Sequence, residues 1–547
     1  MAHTQTMKAP ERKISLFNLA VVLALTLGSL TYGYTFSITS TTLGQPGWYQ
    51  YFDLSSEKTS PKYAYTQRIQ GTMNGLFCAG GFLGAIFIGW SCDAVGRKNS
   101  LWIASPLAIV GGALQAGAVH IGMFLVGRFV GGFAVGILIV LIPLFQAEIA
   151  PPAARGFLVS QHGVVLVLGY SLAAWTGFAC YFSTQLAFQW RFPLAEQCLW
   201  PALMLILTPW IPESPRWREF LHARPVRAIL TSLAVVMNDR MDDAWKVISK
   251  LHGIGQTETA SAAASFAREE FYQMKQQAIA DKSAAAGETF VTLFTKPSYR
   301  KRMICAFFTM FASESTGILV VYNYSVLLYQ GLGFDNKISL LLAALYVSVA
   351  CAGNYVSSIL VDRLGRVKLF LIGFSGCLVS LIFETVMVAR YTGSTNEAGL
   401  RAGVFFLFLY ITFYGCCVDA TTYVYCSEIF PSHIRARGVA FSLAVLFLTA
   451  MVYLEAAPTA FAQVGWKYYL VFLIITSINI FIVWWIFPET KGLSLEEIGE
   501  VFGDHVAVQL TQLTMEEREL LDQRILSEKT DGGAIHIDDS TERSEEI

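Results

Sequence analysis

The chain has 547 residues and a formal net charge of −1; 54% of its residues are hydrophobic, 14% aromatic and only 14% charged. Soluble domains carry about 25% charged residues, so a soluble multidomain enzyme is excluded as the leading reading. The near-zero charge gives no field to recruit nucleic acid, and the apolar excess makes a lipid bilayer the expected surroundings.

Reading apolar runs against charged breaks predicts an all-α membrane protein with twelve spanning helices, near residues 15–38, 67–90, 99–119, 123–147, 157–181, 193–211, 303–331, 338–361, 367–390, 402–427, 438–462 and 468–487. Residues 1–14 are polar and basic and read as a cytosolic N-terminus. The apolar run after them lacks a small-residue cleavage pattern, so it is expected to stay attached as the first span. Lys and Arg favour segments on the side of the N-terminus, which puts both termini in the cytosol. Segment 15–212 then forms one six-helix half and 303–488 a second. Between them, 213–302 is a polar linker with Ala-rich helical stretches at 228–236 and 260–279 and no nucleotide loop or nucleophile motif. The tail 489–547 starts amphipathic at 493–501 and ends in a charged run, 528–547, expected to be disordered and cytosolic. The single N-x-S/T match, Asn323–Ser325, falls inside helix 7, out of reach of glycosylation. All ten cysteines lie in or beside apolar runs with no CxxC and no Cys/His ligand spacing, so no disulfide framework, metal site or cofactor is expected.

Three short signatures occur twice, in the same order and at nearly the same offset. Asp93-Ala-Val-Gly96-Arg97-Lys98 returns as Asp362-Arg363-Leu-Gly365-Arg366; Glu148-Ile-Ala-Pro151 with Arg155 returns as Glu428-Ile-Phe-Pro431 with Arg435; and Pro212-Glu213 with Arg216 returns as Pro488-Glu489 with Lys491. Such a pattern predicts two homologous halves related by an axis along the membrane normal, with the site between them. Its charges fall at cytosolic helix ends. Asp93, Arg97, Glu148, Arg155, Glu213 and Arg216 in one half, and Asp362, Arg363, Arg366, Glu428, Arg435 and Glu489 in the other, are expected to latch the cytosolic side and bias a two-state equilibrium. Plain interfacial anchoring is the alternative.

These signatures, with Gly127-Arg128-Phe129 and Gly131-Gly132 in helix 4, Trp190-Arg191 before helix 6 and Pro488-Glu489-Thr490-Lys491-Gly492 after helix 12, resemble those of the sugar porter family of the major facilitator superfamily over roughly residues 15–500. Gly44-Gln45-Pro46 and Val418-Asp419-Ala420 are similar to a fungal branch of it. The resemblance implies the major facilitator fold, alternating access, a small-molecule sugar as partner, a gating role for the duplicated charges, and action as a monomer in the plasma membrane rather than as an enzyme.

Polar groups inside a bilayer are costly and usually face a cavity or a partner. Helix 7 enters at Arg302, so Glu314 sits roughly 18 Å in, near the midplane, with Ser313, Thr316, Tyr322, Asn323 and Tyr324 close by. In sugar porters this helix carries a Gln-Gln pair and an asparagine that bind sugar hydroxyls; here Ser313 and Glu314 stand for the glutamines and Leu319 for the asparagine, while Thr316, Gly317, Asn323 and Tyr324 keep the register. Helix 10 runs inward to Glu428, which leaves Asp419 roughly 13 Å from the cytosolic end and makes it a plausible acid partner of Glu314. Tyr423 takes the place of the family's aromatic, often Trp, with Tyr414, Thr421 and Thr422 as possible helpers or packing residues. Helix 5 offers Gln161 and His162, although the family's glutamine falls on Gly163, and His162 also fits a hydrogen-bonded packing role. Glu384 and Glu455, near outer helix ends, are expected to reach water.

Proton-coupled members carry Gly-Tyr-Asp in helix 1, whose Asp pairs with the helix 4 Arg; this chain has Gly33-Tyr34-Thr35, which leaves Arg128 without that carboxylate. Facilitated uniport of a hexose, a related mono- or disaccharide or a polyol is therefore the simpler expectation. The alternatives are a proton symporter using Glu314 or Asp419, a quinate-like acid carrier drawn by Arg128, and a sensor of the same fold that transports nothing.

Overall fold

The computed structural model describes residues 16–55, 59–150, 155–214, 292–391, 396–431, 434–493 and 497–504. Most of the linker, all of 1–14, the tail beyond 504, Arg216 and the side chains of Asp93 and Arg155 lie outside the described residues.

Among the described residues all regular structure is helical. In chain order the long helices are α1 Leu16–Thr42, α2 Tyr63–Val95, α3 Arg97–Ala116, α4 Ile121–Ile149, α5 Arg155–Tyr181, and α6 in two pieces, Leu186–Glu196 and Leu199–Leu207. After the linker come α7, in three pieces (Pro297–Glu314, Ile318–Asn323 and Ser325–Gly331), α8 Asn336–Leu364, α9 Arg366–Tyr391, α10, α11 Arg435–Val464 and α12 Tyr469–Ile486. α10 runs Glu397–Phe413, passes through a π turn over Tyr414–Val418, and continues as Asp419–Glu428. Nine stretches of the described residues are long and apolar enough to cross a membrane, the last of them, Arg435–Ile486, holding both α11 and α12.

Several ends are set by local chemistry. The Asp335 carboxylate accepts from the Ile338 N–H at 2.9 Å and starts α8, Asn396 does the same for α10 through Gly399, and Pro297, whose missing N–H costs nothing in a first turn, opens α7. The loops between α2 and α3 and between α8 and α9 each shrink to one glycine. Gly96 (φ 104°) and Gly365 (φ 97°) hold a backbone that side-chain-bearing residues avoid, and that conformation lets one helix begin where the last stops.

The exterior is apolar, and polar and charged side chains are set within an otherwise apolar interior. Trp485, Trp484 and Phe481 are more than two-thirds exposed, while Arg128, Asn74, Asn354 and Glu428 are buried. Within the first half α4 packs on α2 and α3, and α5 on α1; within the second α9 packs on α10 and α12, and α7 on α11. α2 lies along α11, and α5 along α8, across the two.

Candidate functional site

The sequence breaks two helices at the same depth. α7 stops at Glu314, turns through Ser315, Thr316 and the left-handed Gly317 (φ 87°), and restarts at Ile318; α10 loosens into its π turn immediately before Asp419. Helix 7 was expected to run unbroken from 303 to 331, and Gly317 is why it does not: a Cβ there would lie 2.8 Å from the Phe472 ring of α12. Irregular backbone at membrane depth survives only where it lines a cavity or is buried in protein. Here it frames a central cavity walled by Ser313, Glu314, Ile318 and Tyr322 of α7, by Tyr346 and Ala350 of α8, by Tyr414, Asp419, Thr422 and Tyr423 of α10, and by Tyr32, Val167 and Tyr170 of the first half.

Glu314 is 5% exposed and its Oε2 has no hydrogen-bond partner. Asp419 accepts one bond, from the Asn354 amide at 2.9 Å. Ser313 shares a proton with the Tyr414 hydroxyl at 2.7 Å, and the Tyr170 and Tyr322 rings stack with centroids 5.1 Å apart. Free space in the cavity is about 40 Å³. A water needs ~10–15 Å³ of such space, so the cavity holds a few waters and the walls must part to admit anything larger. Contacts close it on both sides. At one end the Ser37 hydroxyl bonds the Tyr322 hydroxyl, and the Asn336 amide donates to the Gly44 carbonyl at 2.8 Å. At the other end the Phe157 N–H at the start of α5 donates to the Asp362 carboxylate of α8 at 2.9 Å.

Of the nine residues expected to meet substrate, Ser313, Glu314, Asp419 and Tyr423 line this cavity. Thr316 is bonded to Tyr410, its hydroxyl 3.0 Å from the ring hydroxyl. Asn323 donates back to the Leu319 carbonyl of its own helix at 3.0 Å, and Tyr324 donates to the Leu454 carbonyl at 3.0 Å while taking a bond from Asn74. Gln161 bonds the Phe157 carbonyl one turn back. His162 pairs with the Ser29 hydroxyl at 2.8 Å and meets the Tyr423 ring edge-on at 4.7 Å, behind the cavity wall. Gly163 faces Ala420, whose Cα would lie 2.9 Å from an added Cβ, so the close approach of α5 and α10 leaves no room for a glutamine at that position.

Sequence reasoning missed Tyr32, Tyr170 and Tyr346. Each sits in an apolar run without a motif around it; the face of α5 carrying Val167 and Tyr170 is recoverable from helical spacing, but only once the partner of that face is known. A second cavity, about 720 Å³, lies toward the outer helix ends and is lined in part by Gln70, Tyr324, Glu384, Trp466 and Tyr469. Glu384 does not reach water as expected. It is 1% exposed with both carboxylate oxygens unpartnered, because α9 turns it against α10 and α12 rather than outward.

Arg128 is fully buried. Its Nη1 donates to the Thr35 backbone carbonyl at 3.0 Å, and its guanidinium lies over the Phe77 ring, 4.2 Å from the centroid. Its Nε donates to the Met73 carbonyl at 3.4 Å, so peptide oxygens rather than a carboxylate hold the cation, and Nη2 is without a partner.

Beside the α2–α3 and α8–α9 turns the duplicated signatures build two near-identical clusters. Arg97 grips Glu148 with Nε and Nη2 at 3.1 and 2.8 Å; Arg366 grips Glu428 with the same atoms at 3.1 and 2.9 Å. Nη1 of each arginine reaches the carbonyl five residues back, Cys92 or Val361. Glu213 caps the first turn of α3 through the Arg97 and Lys98 N–H groups, and Glu489 caps α9 through those of Arg366 and Val367. Ser214 bonds Glu148, and Thr490 bonds Glu428 at 3.2 Å. Burial pushes the Glu213 carboxyl above its ordinary range, against the pull of the Ser214 and Lys98 N–H groups and the Arg97 guanidinium. Arg435 donates to the Phe430 carbonyl at 3.0 Å, and Arg363 is exposed with its carbonyl accepting from Lys491. Each cluster lies within one half. Among the described residues, Asp362 makes a contact that crosses between the halves, and it also pairs with Arg366 at 3.0 Å.

Residues 21–502 match the family model described as sugar (and other) transporter. An MFS-type transporter of Aspergillus cristatus, criB, is 30% identical over 90% of this chain and 95% of its own length, and the sugar transporter STL1 of Saccharomyces cerevisiae is 25% identical over 79% and 72%. Among solved structures, the proton:xylose symporter XylE bound to 6-bromo-6-deoxy-D-glucose superposes with a TM-score of 0.75 at 21% identity, over 90% of this chain and all of that one, which shows the same fold.

Proposed function

The chain belongs to the sugar transporter family of the major facilitator superfamily, and from that premise we propose that it carries a sugar or polyol across the plasma membrane by alternating access, as a uniporter with both termini in the cytosol. The observation that carries this reading is the cavity at the helix breaks, where Ser313, Glu314, Asp419 and Tyr423 gather hydrogen-bonding groups at the depth a solute would occupy. Segments 15–212 and 303–488 rock as two bodies about that point. Opening inward breaks the Phe157–Asp362 contact, opening outward breaks the Ser37–Tyr322 and Gly44–Asn336 contacts, and the buried arginine–glutamate clusters keep each half intact meanwhile. Uniport is supported by Arg128, whose partner at position 35 is a backbone carbonyl that takes up no proton.

The test is radiolabelled uptake of a panel of hexoses, disaccharides and polyols in a host lacking hexose carriers, with and without a protonophore. Uptake that equilibrates and ignores the protonophore is expected. Concentrative uptake that collapses on its addition, together with solute-induced alkalinisation of the medium, would replace uniport by proton symport.

A further inference from the structure

We propose that the solute this pathway selects is positively charged: a protonated amine on a hydroxylated body, of the amino-sugar class. This deepens the transport reading above and rests on it. The central cavity holds two carboxylates, Glu314 and Asp419, and no Lys, Arg or His among its lining residues. Glu314 keeps one oxygen without a partner although it is 5% exposed, and Asp419 is met by a single neutral amide. A buried carboxylate is stable when it is protonated or when a counter-charge stands beside it, and the cavity walls supply no cation. Arg128 lines neither cavity and is held against the Thr35 carbonyl and the Phe77 ring.

Around the two acids stand the rings of Tyr32, Tyr170, Tyr322, Tyr346, Tyr414 and Tyr423. Aromatic faces attract cations, ammonium groups in particular, and tyrosine hydroxyls can bond the hydroxyls of the same ligand. Glu314 also ends an 18-residue helical segment, the negative end of its dipole, so the backbone adds to the field of the acids. The outer cavity repeats the pattern independently. Glu384 is 1% exposed, both its oxygens lack partners, and no basic side chain shares that lining. Each of the two cavities thus sets buried acid where no basic side chain shares the lining. A neutral hexose would leave all three without a counter-charge.

The full-length chain, expressed in a host lacking hexose carriers, is given radiolabelled glucosamine, glucose and N-acetylglucosamine at a pH where the amine is protonated. Glucosamine is expected to be taken up at least tenfold more efficiently than either neutral sugar, and depolarising the cells should slow its entry. Glu314→Gln and, separately, Asp419→Asn should remove most of that preference, while Glu384→Gln should raise the half-saturating concentration more than it lowers the maximal rate; surface amounts are followed by a fluorescent tag. Persistence of the preference in both central variants would overturn the assignment of these acids. Equal or better uptake of glucose and N-acetylglucosamine overturns the charge preference and leaves sugar transport standing. Alkalinisation of the medium by glucose overturns it too, because protons then hold the acids. No uptake of any of the three, with the protein at the surface, overturns the transport reading itself.

Discussion

The two halves agree beside the α2–α3 and α8–α9 turns and differ where they meet each other. Arg97–Glu148–Glu213–Ser214 and Arg366–Glu428–Glu489–Thr490 match nearly bond for bond, yet the central cavity draws Glu314, Asp419 and most of its wall from the second half and only Tyr32, Val167 and Tyr170 from the first. The clusters tie helices together within a half, and any half needs that. The cavity wall faces a solute, which need not be symmetric, so duplication left a shared scaffold and unshared chemistry.

Removing a carboxylate from either cluster is the strongest way to break the comparison. Glu148→Ala and Glu428→Ala each remove the two-pronged carboxylate partner of a buried guanidinium, and breaking a buried ion pair costs about 3–5 kcal/mol; the paired side chains are at most 4% exposed. Thermal unfolding of the detergent-purified protein should show large drops of similar size for both; a loss confined to one half would refute the equivalence. Next come the walls. Glu314→Gln should cut solute uptake about 10–100-fold, or about 1.4–2.8 kcal/mol, whereas Tyr170→Phe in the first half should cost severalfold at most; initial uptake rates corrected for surface amount decide it. Reversal of that order would put the chemistry in the first half.

Asp362→Asn weakens a bond that crosses between the halves, from α5 to α8. A bond to a charged acceptor is worth about 1.5–3 kcal/mol, so the population should move about tenfold toward inward-open, read by cysteine labelling from the cytosolic face. The same change at Asp93 sharpens the comparison: an equal shift would mean that the first half reaches across in return. The smallest effect expected is that of Thr35→Asp. It puts a carboxylate beside Arg128, and uptake should then show a pH dependence that the unmodified protein does not share, measured in the same cells between about pH 5 and 7.5.

The duplicated charges were legible because each signature sets a glycine, an arginine and an acid at fixed spacing, and the geometry of the turn at Gly96 and Gly365 follows from that spacing. Glu314 and Asp419 were legible because a carboxylate inside an apolar run is rare. The rest turned on rotation about helix axes. One residue is a turn of about 100°, and that separates Gln161 and His162, which bond within their own half, from the cavity-facing Val167 and Tyr170. Glu384 was misjudged for the same reason, its facing being set by neighbours on α10 and α12 that hydropathy does not contain. The π turn of α10 had no residue to announce it, since Tyr414–Val418 reads as an ordinary stretch of helix.

Separation of the duplicated clusters from the helix breaks has a consequence for selection and for engineering. Stability is stored at the rim and specificity near the middle, several helical turns away, so changes at Ser313, Tyr346 or Thr422 can alter what is recognised with little charge to the clusters that keep the halves folded. A library confined to the cavity wall should therefore yield a high fraction of expressed, membrane-inserted variants with new preferences. The same number of changes spread over the cytosolic ends would mostly be lost to quality control.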